Sequence, residues 1–112
     1  MSTPDPQELK ATALNDAVER LVREFAPRAV YLFGSRAYGT PHRYSDFDLL
    51  IVGDFKSSDK YALNRRAFAC LHGLKLPIEL HFCRPATLER FATVTGSFYK
   101  DAKERGKIVY AA

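Results

Sequence analysis

Ala29-Val30-Tyr31-Leu32-Phe33-Gly34-Ser35 and, ten residues on, Ser45-Asp46-Phe47-Asp48-Leu49-Leu50-Ile51-Val52 are the two ends of one stretch, AVYLFGSRAYGTPHRYSDFDLLIV, at residues 29–52. Both ends are β-branched, aromatic and apolar, and each is closed by a breaker: Pro27 before the first, Gly34 after it, Gly53-Asp54 after the second. They read as two buried strands, Ala29–Phe33 and Phe47–Val52. Between them Ser35 to Tyr44 is a short connector with Gly39, Pro41 and His42 as turn chemistry.

Working outward, Asp5-Pro6-Gln7-Glu8 reads as an N-cap, a proline at the first helical position and a capping-box glutamate. Leu14, Val18, Leu21, Val22 and Phe25 then recur at helical spacing, and the helix should stop before Pro27. After the second strand, Ser57 or Ser58 is expected to cap a helix carrying Leu63, Ala67, Phe68, Cys70 and Leu71, closed near Gly73. Pro77 to Cys83 makes a third strand. Arg84-Pro85 opens a helical stretch with Leu88, Phe91, Ala92, Phe98, Tyr99 and Ala102 as apolar positions, kinked or split at Gly96 and ended by Gly106. Lys107 to Tyr110 is a short last strand. Strands separated by helices predict an α/β fold, a small sheet covered by helices.

The chain of 112 residues fits one domain, since two ordinary domains need roughly 200 residues or more. No repeat or linker divides it; residues 1–4 and 111–112 are expected to be loose. With 46% hydrophobic and 27% charged residues, disorder and coiled coil are poor readings, and no window approaches the ~20 apolar residues of a membrane span. The N-terminus has no basic patch followed by an apolar run, so a cytoplasmic protein is expected, with Cys70 and Cys83 reduced and packed rather than bridged. The net charge of +4 comes from scattered basic residues, a pattern that selects no partner and shows no basic stripe for nucleic acid.

A strand entering the core should not begin with two carboxylates unless something compensates their repulsion. Side chains alternate along a strand, so Asp46 and Asp48 project the same way while Phe47, Leu49 and Ile51 pack behind. Oxygen ligands so placed suit Mg²⁺ or Mn²⁺; charged residues at a solvated strand end are the bland alternative. Upstream, Gly34 lets the backbone come close to a ligand, and a helical turn begun at Ser35-Arg36 would present free N–H groups and a hydroxyl to a phosphate. An ordinary turn is the alternative there.

Taken together, Gly34-Ser35-Arg36-Ala37-Tyr38-Gly39 and Ser45-Asp46-Phe47-Asp48-Leu49 resemble the G-S-x-x-x-G…S-D-x-D signature of the DNA polymerase beta-like nucleotidyltransferase superfamily. Within it the chain is similar to the minimal nucleotidyltransferases, small proteins often found as the antitoxin of a HEPN-type toxin. The motif covers residues 30–52, and the order of helices and strands fits over most of residues 10–110. The resemblance implies a palm-like mixed sheet, two metal ions (Mg²⁺, or Mn²⁺), ATP as substrate, and transfer of a nucleoside monophosphate to a hydroxyl. It implies nucleotide binding by Gly34, Ser35, Arg36 and Ser45, and catalysis and metal binding by Asp46, Asp48 and a third carboxylate, for which Glu79 is the candidate. There the sequence departs from the pattern: the family's usual residue is Asp, and one extra methylene is enough to displace a metal-bound nucleophile. Ile78, Leu80 and Phe82 should face the core while Glu79 and His81 share the other face. His81 is expected to be structural, since Mg²⁺ prefers oxygen; His42 and His72 receive no role.

Two functions follow. The first is an enzyme, by resemblance an ATP-using adenylyltransferase acting on a Tyr, Ser or Thr hydroxyl of a partner protein, a HEPN-type toxin, with the acceptor site completed by that partner or by a second copy of the chain in a homo-oligomer. The second is a binding module that neutralises its partner by contact, with Glu79 in place of Asp leaving catalysis weak or absent. A nucleic-acid-binding protein ranks last, for want of a motif.

Overall fold

The computed structural model describes residues 6–38, 46–56 and 59–112. Its elements are α1 (Pro6–Phe25), β1 (Ala29–Phe33), α2 (Ser35–Tyr38), β2 (Phe47–Val52), α3 (Lys60–Cys70), β3 (Ile78–Cys83), α4 (Pro85–Phe91), α5 (Phe98–Arg105) and β4 (Lys107–Ala111). The strands form one mixed sheet in the order β3-β2-β1-β4. β1 is antiparallel to both β2 and β4, whereas β2 and β3 are parallel. A parallel pair needs a long crossover, and the segment carrying α3 supplies it.

The sheet is covered on both faces, which explains why β2 is a continuous apolar run after Asp48 rather than an alternating one. Leu49 and Ile51 join Leu32, Val30, Leu80 and Phe82 on the face under α1 and α3, with Ala17, Val18 and Leu21 of α1 and Leu63 and Ala67 of α3. Leu50 and Val52 join Phe33 and Cys83 on the opposite face, under Leu88 of α4 and Ala102 of α5. Leu49, Leu50 and Ile51 are fully buried. The four residues after Asp48 therefore anchor β2 from both sides. Among the described residues no helix is long and apolar enough to cross a membrane.

The α/β class, the strand assignments and the break at Gly96 agree with the sequence reading, and the differences have local causes. The cap of α3 is Asp59, whose Oδ1 accepts from the backbone N–H of Tyr61 at 3.0 Å and of Ala62 at 3.2 Å. A carboxylate suits the positive end of a helix better than the serines expected there; Ser57 and Ser58 lie outside the described residues. Phe68, expected inside, is 53% exposed: Leu63, Ala67 and Leu71 follow the i, i+4, i+8 stripe, and Phe68 falls on the next face. Pro77 accepts from Phe47 N–H through its carbonyl but has no N–H of its own to extend the ladder, so β3 begins at Ile78. Gly96 takes a positive φ of 86°, and Ser97 caps α5, its Oγ accepting from Lys100 N–H at 3.2 Å. At the C-terminal end, expected to be loose, Ala111 pairs with Ala29 and the N–H of Ala112 donates to Arg28 carbonyl at 2.9 Å.

Several of the scattered basic residues serve the scaffold. Arg20 pairs with Asp16, Arg66 with Glu24 and Arg28 with Asp54, and Arg84 donates to the carbonyls of Phe55 and Lys56. These exposed or half-exposed pairs contribute little each.

Candidate active site

Register decides what stands beside Asp48. Phe33 of β1 pairs with Asp48, and Asp48 pairs with Glu79 of β3. Paired residues share a face, so Phe33, Asp48 and Glu79 form a row across the sheet, with Tyr31, Leu50 and His81 in the next row. The opposite parity, Leu49 and Leu80, lies in the core under α1 and α3. The separation of faces read from the alternation is thus the one observed.

Donor atoms of Asp48, Glu79 and His81 all lie within 4.8 Å of one another. The Glu79 side chain is 59% exposed and reaches His81, Oε1 to Nε2, at 3.7 Å. Asp48 is half-buried, and Asp46 is exposed just ahead of the strand. Burial, then a hydrogen bond with Glu79 that only a protonated acid can donate, then the negative charges of Glu79 and Asp46 push the Asp48 carboxyl up to about 6. Burial pulls the His81 imidazole below its ordinary range, partly offset by the charge of Glu79. Its ring packs against Phe33 at 5.4 Å and Phe98 at 5.0 Å between centroids.

Gly34 meets this row directly. It has φ 77°, a left-handed conformation natural to glycine. A Cβ there would run into Oδ2 of Asp48 and stand 3.3 Å from its Cγ. The close approach inferred for this glycine is therefore to the carboxylate itself. α2 starts immediately after, with the N–H of Ala37 donating to the Gly34 carbonyl at 3.0 Å. Arg36 is half-buried, its guanidinium 4.6 Å from the centre of the Phe47 ring, so it stands at the head of β2 on a cation–π contact. The side chain of Ser35 and the whole of Ser45 lie outside the described residues.

The structure thus brings Gly34, Asp48 and Glu79 together, with Asp46 close enough for its charge to act on Asp48. His81 is the residue the sequence reading set aside; its signal was the two-residue step from Glu79, which puts both on one face. Like charges brought together at a half-buried strand end, with oxygen donors side by side, fit a hard divalent cation. A sign follows for pH. Because folding raises the affinity of Asp48 for a proton, the stability contributed by this group is complete below about pH 4 and is lost as pH rises through about 6. A bound Mg²⁺ should replace that proton. The rise in Tm produced by millimolar Mg²⁺ is accordingly expected to be small at pH 5 and large at pH 7.5, as measured by thermal unfolding against an EDTA control. An equal rise at both values would contradict the assignment.

Comparison with known proteins bears on the family and the fold. The sequence profile described as "Nucleotidyltransferase domain" matches residues 14–109. Among solved structures, the fold resembles that of a protein described as a nucleotidyltransferase from Sulfolobus solfataricus, 18% identical, with 99% of this chain and 92% of that chain covered and a TM-score of 0.66. It also resembles a toxin–antitoxin structure with AMP-PNP (22% identity, 88% and 73% covered, TM-score 0.55). A third likeness is to a toxin–antitoxin MntA-HpeT mutant in which two aspartates are replaced by glutamate (20% identity, 88% and 73% covered, TM-score 0.53). At these identities the structural likeness speaks for the fold alone. No curated protein sequence matches the chain significantly. The profile, which spans most of the chain and both halves of the acidic row, is the deciding finding: this chain belongs to the nucleotidyltransferase domain family.

Proposed function

We propose that the chain is a metal-dependent nucleotidyltransferase that moves AMP from ATP to a hydroxyl on a partner protein, as the antitoxin of a HEPN-type toxin pair. The observation that carries the reading is the register of β2 with β3, which sets Asp48 beside Glu79, against the Gly34 turn. The family membership supports the reaction class, and the neighbour seen with AMP-PNP in a toxin–antitoxin structure supports the nucleotide and the kind of partner.

On this reading each residue has a local task. Asp46 and Asp48 hold the ion site at the head of β2. Glu79 completes it from β3 and accepts the proton of the acceptor hydroxyl. The backbone from Gly34 to Arg36, with the Ser35 hydroxyl and Ser45, steadies the phosphates, and Arg36 adds positive charge beside them. When bound, two Mg²⁺ or Mn²⁺ ions would neutralise the triphosphate, which brings about four negative charges, and acidify the acceptor hydroxyl.

A second reading, a contact antitoxin with weak or no catalysis, rests on Glu79 standing where the family has Asp. Incubating the protein and the product of its neighbouring gene with α-labelled ATP and Mg²⁺ separates the two. Label on the partner, absent with Asp46→Asn, is the expected result. No label, with toxin neutralisation intact in that variant, would replace the enzyme by the contact antitoxin.

A further inference from the structure

The geometry points to a nitrogen donor in the ion site: we propose that His81 ligates together with Asp48 and Glu79, so that this chain takes an imidazole-tolerant transition ion such as Mn²⁺ in preference to Mg²⁺. The inference rests on the metal-dependent reading above and concerns which ion that site selects.

Three observations carry it. The donor atoms of the three residues already lie within 4.8 Å of one another; ligands bonded to an ion at about 2.1 Å stand about 3 to 4.2 Å apart, so only a small closure is needed. His81 Nε2 is the atom turned toward Glu79, 3.7 Å from its Oε1. The imidazole is also held in place by Phe33 of β1 and Phe98 of α5, whose rings pack against it at 5.4 and 5.0 Å. Those contacts fix its orientation before any ion arrives, which lowers the entropy lost on binding. The register explains why a histidine can enter at all: it sits two residues after Glu79 on the same strand face, one row inward from the carboxylates. Mg²⁺ gains little from such a neighbour, because it takes oxygen ligands almost exclusively, whereas affinity for an imidazole rises from Mn²⁺ along the first-row divalent ions.

The test uses Mn²⁺ alone with the metal-free full-length protein. Loss of the free-ion electron paramagnetic resonance signal gives the Kd, and pulsed measurement on the bound ion reports any directly coordinated ¹⁴N. The expected result is a histidine nitrogen coupling in the native protein that disappears in His81→Gln. The Mn²⁺ Kd should also rise at least about tenfold, while the Mg²⁺ Kd, read by competition, changes less than about twofold. Retained Mg²⁺ affinity also shows that the variant is folded, and the native spectrum stands without it. Bound Mn²⁺ that is lost in Asp48→Asn yet never shows a nitrogen coupling would overturn the proposal and leave the carboxylate site standing. No Mn²⁺ binding at all would overturn both.

Discussion

Asp48→Asn is expected to lower nucleotidyl transfer by about 10³-fold or more and, in the same protein, to raise the thermal stability of the metal-free form. On the proposed metal-dependent reading, the substitution removes a carboxylate that would hold the ion site: several kcal/mol of charge stabilisation in the transition state, at about 1.4 kcal/mol per decade of rate, is three decades or more. The gain follows from the surroundings of the side chain. Burial, Glu79 and Asp46 all disfavour the charged carboxylate and push it up to about 6, so at pH 8 the folded protein carries a charge its environment resists. Asparagine keeps the shape, removes the charge and can still donate to Glu79. Allowing for solvent screening of a half-exposed group, the benefit is about 1 kcal/mol, which moves Tm by about 4–8 °C in a domain of this size. Transfer rate and Tm in EDTA at pH 8, measured on one preparation, check both halves. A variant that is inactive but less stable than the native protein would mean that Asp48 is held in place by favourable contacts rather than against repulsion.

Gly34→Ala is expected to damage both fold and activity. The residue sits at φ 77°, where a side chain costs about 1–3 kcal/mol, and its new Cβ would be driven into Oδ2 of Asp48. Either the turn or the carboxylate must shift, and a displacement of about 1 Å at a reacting centre costs about 10²-fold in rate. The two causes separate in a double-mutant cycle. Truncating the carboxylate, Asp48→Ala, relieves the collision but not the backbone strain, so the destabilisation by Gly34→Ala should be smaller in that background by about 1 kcal/mol. Strict additivity in denaturant unfolding would show that the collision does not occur.

β1 and β2 were legible to the residue because each is a two-faced apolar run stopped by Gly or Pro, and burial on both faces leaves no room for a competing reading. The break in the last helical segment was legible in Gly96, whereas the cap at Ser97 emerged only with the structure. The α3 cap was misplaced because two serines and an aspartate, Ser57, Ser58 and Asp59, stand in a row and only hydrogen-bond geometry chooses among them. Asp46 and Asp48 announced themselves by charge at a strand head. The neighbour relation of Glu79 to Asp48 did not, because strand order depends on which sheet edge a crossover returns to, and β3 joins β2 while β4 adds on the far side of β1. His81 was readable as a face-mate of Glu79; its distance to the carboxylates required the register.

The position of each acid within the sheet has a mechanical consequence. β2 is hydrogen-bonded along both sides, by β1 and β3, and its apolar tail is locked between two layers of helices. Among the described residues β3 lies at the rim and is tied along one side only. One side of the acidic row is therefore stiff and the other compliant: on the proposed reading, an ion that drew the donors together would move β3, with the longer side chain of Glu79, and leave Asp48 as the fixed reference.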